Sequence, residues 1–287
     1  MTFTVSPSSY QIGGSLRSNN PYYVTREADN LLLRALQRRE FCSVLAARQM
    51  GKSSLLVRTR AYLEGIGYYC ASIDMTSIGS DNITPQQWYR GLIYDLHRGF
   101  HLSRRCPLKQ WFLEHEQLAP TQQLSRFIEE LVLNYFPTET LVIFVDEIDS
   151  VLSLNFPVDD FFALIRSFYN QRAMNSAFNR LTFTILGVAT PSSLIQDIKR
   201  TPFNIGVSIP LKGFSLAESM PLGAGLKSKF PDHYLTLLKQ IVEWTQGQPF
   251  LTQKLCQLVV DYLDEEKTRL DSQADFSQSF VNKIVQN

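Results

Sequence analysis

The stretch Ala46-Ala47-Arg48-Gln49-Met50-Gly51-Lys52-Ser53-Ser54 decides how the rest of the chain is read. It fits the phosphate-binding spacing G-x-x-x-x-G-K-[ST], except that Ala46 stands where the first glycine belongs. Its surroundings supply the required context: the run from Phe41 to Ala47 is short, apolar and strand-like, and a helical stretch reaches from Gly51 to Gly65. A strand, a tight loop and a helix in that order bring backbone N–H groups and a helix N-terminus onto phosphate oxygens. In that frame Arg48, Gln49, Met50 and Gly51 cradle the anion, Lys52 reaches the β- and γ-phosphates, Ser53 ligates Mg²⁺ and Ser54 bonds the α-phosphate. Outside that context, G-K-S-S would be no more than the start of a helix.

Working outward, Leu141-Val142-Ile143-Phe144-Val145-Asp146-Glu147-Ile148-Asp149 is an unbroken apolar run that ends in acids, the pattern of a strand buried on both faces of a parallel sheet. The carboxyl end of such a strand is where the sheet presents its ligand. Asp146 there belongs to the Mg²⁺ shell and Glu147 polarises the attacking water; taken alone, the same acids also suit a strand end that faces solvent. Further strand-like runs are Tyr68 to Met75, Leu181 to Val188 and the shorter Gly206 to Leu211. Helical spacing marks Arg26 to Arg39, Thr121 to Tyr135 and Val158 to Met174, and Thr84, Pro85 and Gln87 give a helix cap, a first-turn proline and a capping-box partner. Strands alternating with helices predict a layered α/β fold with right-handed crossovers. After Leu211 the pattern changes: Ser215 and Glu218 form a capping box, and apolar helical stretches follow at Leu235 to Val242 and Leu251 to Leu263. The chain is thereby divided into an N-terminal tail over residues 1–20 without apolar period, an α/β core over 21–212 and a helical subdomain over 213–287.

Composition narrows the function classes. The chain has 287 residues, 44% hydrophobic and 19% charged, which excludes disorder and low complexity and allows a main domain with a smaller one. Lys and Arg total 28 against 27 Asp and Glu, a net charge of +1, without the basic excess of a surface devoted to nucleic acid. Nucleic acid is therefore not the expected partner, although a local basic patch is compatible with this balance. No window approaches the roughly 20 apolar residues of a membrane helix, and the start lacks a charged segment followed by an apolar one. The expectation is a soluble cytoplasmic protein without a membrane partner. Cys42, Cys70, Cys106 and Cys256 lie far apart with no CxxC pair, as reduced cysteines do.

The joint set of Tyr23-Val24, Phe41 to Leu45, Arg48 to Leu55, Asp146 to Leu152 and Thr190 to Ile195 resembles the AAA-like ATPase domain common in cyanobacterial multidomain proteins, which is related to the STAND signalling ATPases. The resemblance runs from about Tyr10 to Cys256. It implies a P-loop NTPase of the additional-strand, AAA/STAND-like class: a three-layer α/β sandwich with a parallel sheet, followed by a helical lid that is truncated here if the chain is part of a longer protein. ATP and Mg²⁺ are the implied cofactors. A guanine motif N-K-x-D is missing, since Asn282-Lys283-Ile284-Val285 has no Asp. By the same resemblance Thr190 is the polar sensor beside the γ-phosphate, or simply a threonine that terminates a strand before Pro191. Val24 and Arg26 sit where such enzymes touch adenine, or flank ordinary capping by Thr25. Pro249, in Gly247-Gln248-Pro249, corresponds to the lid proline that packs on adenine, or to a break between two helices. Arg200 is placed like a finger reaching a neighbouring subunit's ATP, an intramolecular sensor, or a solvated charge. Family relatives are often fused to WD-repeat, TPR or effector modules, so sensor or effector modules and a nucleotide-dependent homo-oligomer are the implied partners besides ATP and ADP.

The leading functional expectation is a slowly hydrolysing, Mg-dependent ATP switch in signalling. Two alternatives stay open: a non-hydrolysing nucleotide-holding assembly platform, against which Glu147 argues, and an ATP-dependent nucleic-acid-associated AAA protein. Other features read as structure: His97 and His101 lack a third metal ligand, and Phe156, Phe161, Phe162, Phe168 and Tyr169 suit core packing better than base stacking.

Overall fold

Short runs of β-branched and aromatic residues pair into one sheet: β1 (Cys42–Leu45), β2 (Tyr69–Asp74), β3 (Leu141–Asp146), β4 (Leu181–Gly187) and β5 (Val207–Ser208). All pairings are parallel and the order is β2-β3-β4-β1-β5. With the helices between the strands this is an α/β fold. The computed structural model describes residues 10–80, 82–104, 106–195, 197, 201–266 and 280–286. Along the sequence β2 intervenes between β1 and β3, but in the sheet the strand between them is β4, and β2 forms the edge. Leu141 to Val145 are all 0% exposed, which is why this stretch carries no polar alternation.

Two compact units emerge. The sheet unit comprises Asn30–Ala47 and Thr59–Leu211, and the helical unit the described residues of Met1–Asp29, Arg48–Arg58 and Lys212–Asn287. In the sheet unit the aromatic stretch is core: Phe161 meets Trp88 edge-on at 5.3 Å, and Phe168 stacks on Phe178 at 5.6 Å and on Phe183 at 5.9 Å. The helix Pro85–Gly99 starts with the expected reciprocal Thr84–Gln87 box. The helix expected over 121–135 is instead three joined segments, Pro120–Arg126, a π-helical turn Phe127–Val132 and Leu133–Tyr135. Widening the turn to i→i+5 places Phe127 and Val132, both 0% exposed, on one inner face.

The helical unit contains Met220–Lys229, Tyr234–Thr245, Pro249–Glu266 and Phe280–Gln286. Its core gathers Leu222, Leu226, Leu237, Ile241 and Val259 together with Tyr10, Tyr22 and Val24 from the chain's beginning. Within the segment expected as a tail, Tyr10 thus belongs to this core and Leu16 is buried, while most of residues 11–20 are exposed. Tyr10 donates its hydroxyl to the Leu222 carbonyl at 2.6 Å and its amide to Gln257 Oε1 at 2.9 Å. Gly225 leaves the space for its ring, since a Cβ there would stand 2.5 Å from the Tyr10 hydroxyl. Isolated apolar residues held by partners more than 200 positions away leave no local periodicity. Residues 1–9 lie outside those described.

All four cysteines are free and buried. Burial pushes the thiols of Cys42, Cys70 and Cys256 up to about 12 from an ordinary 9.0. Below pH 9 the thiols are neutral in both the folded and unfolded chain, so their burial stabilises fully. Between these values only the unfolded chain ionises, and each thiol withdraws roughly 1 kcal/mol of stability per pH unit. The urea midpoint is expected to fall steadily as pH rises above about 9; a midpoint unchanged well into that window would contradict this burial.

Candidate functional site: a phosphate loop and an acidic strand end

Within the helical unit the loop expected to hold phosphate precedes α2 (Lys52–Gly65), the second helix of the chain after α1 (Glu27–Gln37). Gln49 has φ 62° and Gly51 φ 81°, an alternation of left-handed residues that turns successive amides to one side and makes an anion-binding concavity. The ladder of α2 opens with Leu55 N–H donating to Gly51 O at 3.0 Å, and the amides at such a start are available to an anion. Lys52 begins the helix and is 5% exposed. Arg48 and Gln49 are exposed, and Ser53 lies half-buried in the first turn. Ser54 Oγ accepts the Leu16 amide at 3.0 Å, which occupies a lone pair and leaves its hydrogen free in chemistry to donate.

Three other expected residues share this unit. Val24 is 3% exposed and its side chain lies in the helical core, so its backbone is what it can offer a base. Arg26 is 5% exposed, and Nη1 donates to Met50 O at 2.9 Å and Lys212 O at 3.3 Å. Burial lowers its pKa, opposed by Tyr23, Asp29 and Glu218. Pro249 is buried at the first position of its helix, after a tight turn in which Gly247 takes φ 70°.

That turn requires glycine twice over. A Cβ on Gly247 would stand 2.0 Å from Phe214 O, and the Phe214 amide donates to Gly247 O at 2.7 Å. Gly247→Ala is expected to cost about 2–3 kcal/mol, the sum of left-handed strain and a lost hydrogen bond, before the clash is relieved. Gly65→Ala, where a Cβ meets nothing within 4 Å, should leave the urea midpoint in place or raise it. Equal midpoints for the two variants would refute the account.

In the sheet unit the carboxyl ends of β2, β3, β4 and β1 share one edge. Asp146 closes β3 opposite Asp74, and the Ala46 amide donates to Gly187 O at 3.1 Å as the chain leaves β1 for the loop. Glu147 follows with φ 53° and ψ 44°, a left-handed conformation costly for a residue with a side chain, and its amide donates to Asp146 Oδ1 at 3.0 Å. Asp149, whose role was not legible in the motif, accepts the Val188 amide at 2.7 Å and so ties the acidic turn to the end of β4. Gly187 permits this approach, since a Cβ there would lie 2.6 Å from Ile148 and 2.8 Å from Asp149 Oδ1. Thr190 is exposed and caps the helix Pro191–Leu194 through a reciprocal box with Ser193. Its hydroxyl accepts the Ser193 amide at 3.3 Å. Arg200 lies outside the described residues. His97, set aside as a metal ligand, faces the Cys106 carbonyl at 2.8 Å through Nε2.

The donor types suit Mg²⁺: a serine hydroxyl and a carboxylate are hard oxygens, and this ion is commonly bound by one or two carboxylates plus phosphates rather than by a protein cage. Among the described residues no group of three or more His, Cys, Asp or Glu forms such a cage.

A family model described as an AAA-like domain matches residues 11–280. An uncharacterized WD repeat-containing protein of Synechocystis sp. is 49% identical over 280 residues; the match covers 96% of this chain but only 23% of that protein's length. Among solved structures, the Walker-type ATPase PABY2304 of Pyrococcus abyssi superposes with a TM-score of 0.60 at 18% identity, covering 96% of this chain and 75% of that one. The ORC2 protein of Aeropyrum pernix, in ADPNP–ADP complexes, gives 0.57 at 16% identity, covering 96% and 70%. The ORC1 protein of the same organism, in complex with DNA, gives 0.51 at 12%, covering 93% and 66%. At these identities the likeness is one of fold. A DNA-bound structure among them removes the support for setting nucleic acid aside on net charge, because a balanced total does not prevent a local cationic face. Among the described residues no helix is long and apolar enough to cross a membrane.

Proposed function

Because the chain belongs to the AAA-like domain family and has the fold of P-loop ATPases, we propose that it binds Mg-ATP and hydrolyses it slowly, as a switch read by its helical part. The observation that carries this reading is the loop Arg48–Ser54, with left-handed Gln49 and Gly51 ahead of the N-terminus of α2. Lys52 would neutralise the β- and γ-phosphates, the amides of the loop would hold the anion, and Ser53 and Asp146 would hold Mg²⁺. The bound ion supplies charge neutralisation on the phosphoryl oxygens. Glu147 orients the attacking water and takes its proton. Thr190 and Pro249 keep their proposed places beside the γ-phosphate and the base, and Arg200 that of a finger in a nucleotide-dependent oligomer. The STAND-like signalling role, and fusion to repeat modules as in the Synechocystis relative, belong to the same proposal.

An ATP titration with phosphate release tests the reading. Nucleotide should bind with slow turnover and compact the protein in small-angle scattering, because a ligand that prefers one arrangement shifts the population toward it. Identical scattering profiles with and without Mg-ATP would remove the switch while leaving the ATPase. Likeness to a DNA-bound ORC1 protein supports a second reading, an ATP-dependent nucleic-acid protein. It is decided by titrating duplex DNA at low and high salt: affinity that drops by several orders of magnitude with added salt identifies a phosphate-contacting face, and no binding at low salt removes this reading.

A further inference from the structure

Two carbonyl oxygens of the phosphate loop are held by side chains far away in sequence. Arg26 Nη1 donates to Met50 O at 2.9 Å and Gln248 Nε2 donates to Gln49 O at 3.3 Å. Both side chains are themselves fixed. Gln248 Oε1 accepts the Leu251 amide at 2.6 Å, and Arg26 also donates to Lys212 O at 3.3 Å with its guanidinium 5.4 Å from the centre of the Phe214 ring. A Cβ on Gly51 would stand 3.3 Å from Arg26 Nη2, so the guanidinium lies directly against the loop. Asp29 and Glu218, the nearby carboxylates, are engaged in part elsewhere: Asp29 accepts the Tyr23 hydroxyl at 2.5 Å and the Arg26 amide at 2.9 Å, and Glu218 accepts the Ser215 amide at 2.8 Å. A cation taken out of water at such cost is here committed to backbone carbonyls of the loop and of the segment entering the helical region.

A peptide group is planar and trans, so its oxygen and its hydrogen point in opposite directions. Holding Gln49 O and Met50 O therefore aims the amides of Met50 and Gly51 away from the side chains that hold those oxygens. We infer that Arg26 and Gln248 latch the phosphate loop, pre-aiming the Met50 and Gly51 amides at the anion, and are positioning residues for nucleotide affinity. The inference deepens the proposed function and rests on reading residues 48–54 as the loop for ATP phosphates. Linkage makes the latch reciprocal: phosphate that orders the loop also tightens its hold on Gln248, at the start of the helix Pro249–Glu266.

The test compares Arg26→Lys and Gln248→Glu with the parent chain by amide hydrogen exchange without nucleotide and by Mg-ATP titration. Lysine cannot bridge two carbonyls while lying flat on Phe214, and glutamate keeps the acceptor for Leu251 but loses the donor to Gln49. Each variant should exchange its 48–54 amides about tenfold faster and bind Mg-ATP about tenfold more weakly, the worth of one good hydrogen bond. Exchange in the helix Tyr234–Thr245 should stay unchanged, which separates the latch from general loosening. If Arg26→Lys fails to fold, Gln248→Glu decides alone. Unchanged loop exchange in Gln248→Glu overturns the latch whatever the affinity does, since added negative charge alone weakens anion binding. A parent chain that binds no Mg-ATP would refute the proposed function, while the exchange arm still decides the latch.

Discussion

Glu147→Gln is expected to bind Mg-ATP as the parent chain does and to release phosphate about 10² to 10⁴ times more slowly, the usual contribution of a positioned general base. The residue stands one position beyond a strand whose five preceding side chains, Leu141 to Val145, are 0% exposed, and it holds a left-handed backbone with φ 53°. That conformation costs on the order of 1–3 kcal/mol and persists where the surroundings over-determine it. Here the bond from its amide to Asp146 and the tie from Asp149 to Val188 brace the turn from both sides. Glutamine has the same shape and the same backbone demands, so the turn should survive, but it cannot accept a proton at neutral pH. Single-turnover phosphate release, with binding measured separately by calorimetry, distinguishes the cases. Turnover equal to that of the parent chain would remove Glu147 from the chemistry.

Lys52→Ala is expected to weaken Mg-ATP binding by more than tenfold. Lys52 as a residue is 5% exposed, and a charge-assisted contact to phosphate in such surroundings contributes roughly 1.5–3 kcal/mol. The backbone cradle remains in the variant, so binding should persist at high nucleotide concentration rather than vanish. Calorimetric affinities equal to those of the parent chain would show that the loop does not hold the triphosphate.

Features with local causes were readable in advance. The capping box at Thr84 and Gln87, the apolar run of β3 and the spacing from Ala46 to Ser54 each depend on neighbours within a few positions, and each appears where local chemistry places it. What escaped depends on distant partners. Tyr10 and Leu16 stand in a stretch without apolar period, yet they are 4% and 6% exposed. The short helix Leu108–Glu114 went unmarked because it spans only two turns, buries Leu108, Trp111 and Phe112, and has no side-chain cap. In the site, the roles of Arg26, Asp149 and Gln248 are set by backbone groups that no motif encodes. A glycine at 187, closing a strand otherwise rich in large side chains, was the available sign that something approaches the end of β4 closely. Thr190 carried two meanings in the sequence, and the Thr-Pro-Ser-Ser order already contained the box that now engages its hydroxyl.

Gln49 and Gln248 are 199 positions apart, and this separation has a consequence for the protein while it is being made. At ordinary elongation speeds of about 5–20 residues per second, about 10–40 s pass between synthesis of the loop and synthesis of the residue that secures it. β1 is made before the loop, and the other strands up to Val207–Ser208 are synthesised within that interval. A ribosome-bound chain can therefore complete its sheet before its loop amides are aimed, so competence to capture nucleotide arrives late in biosynthesis.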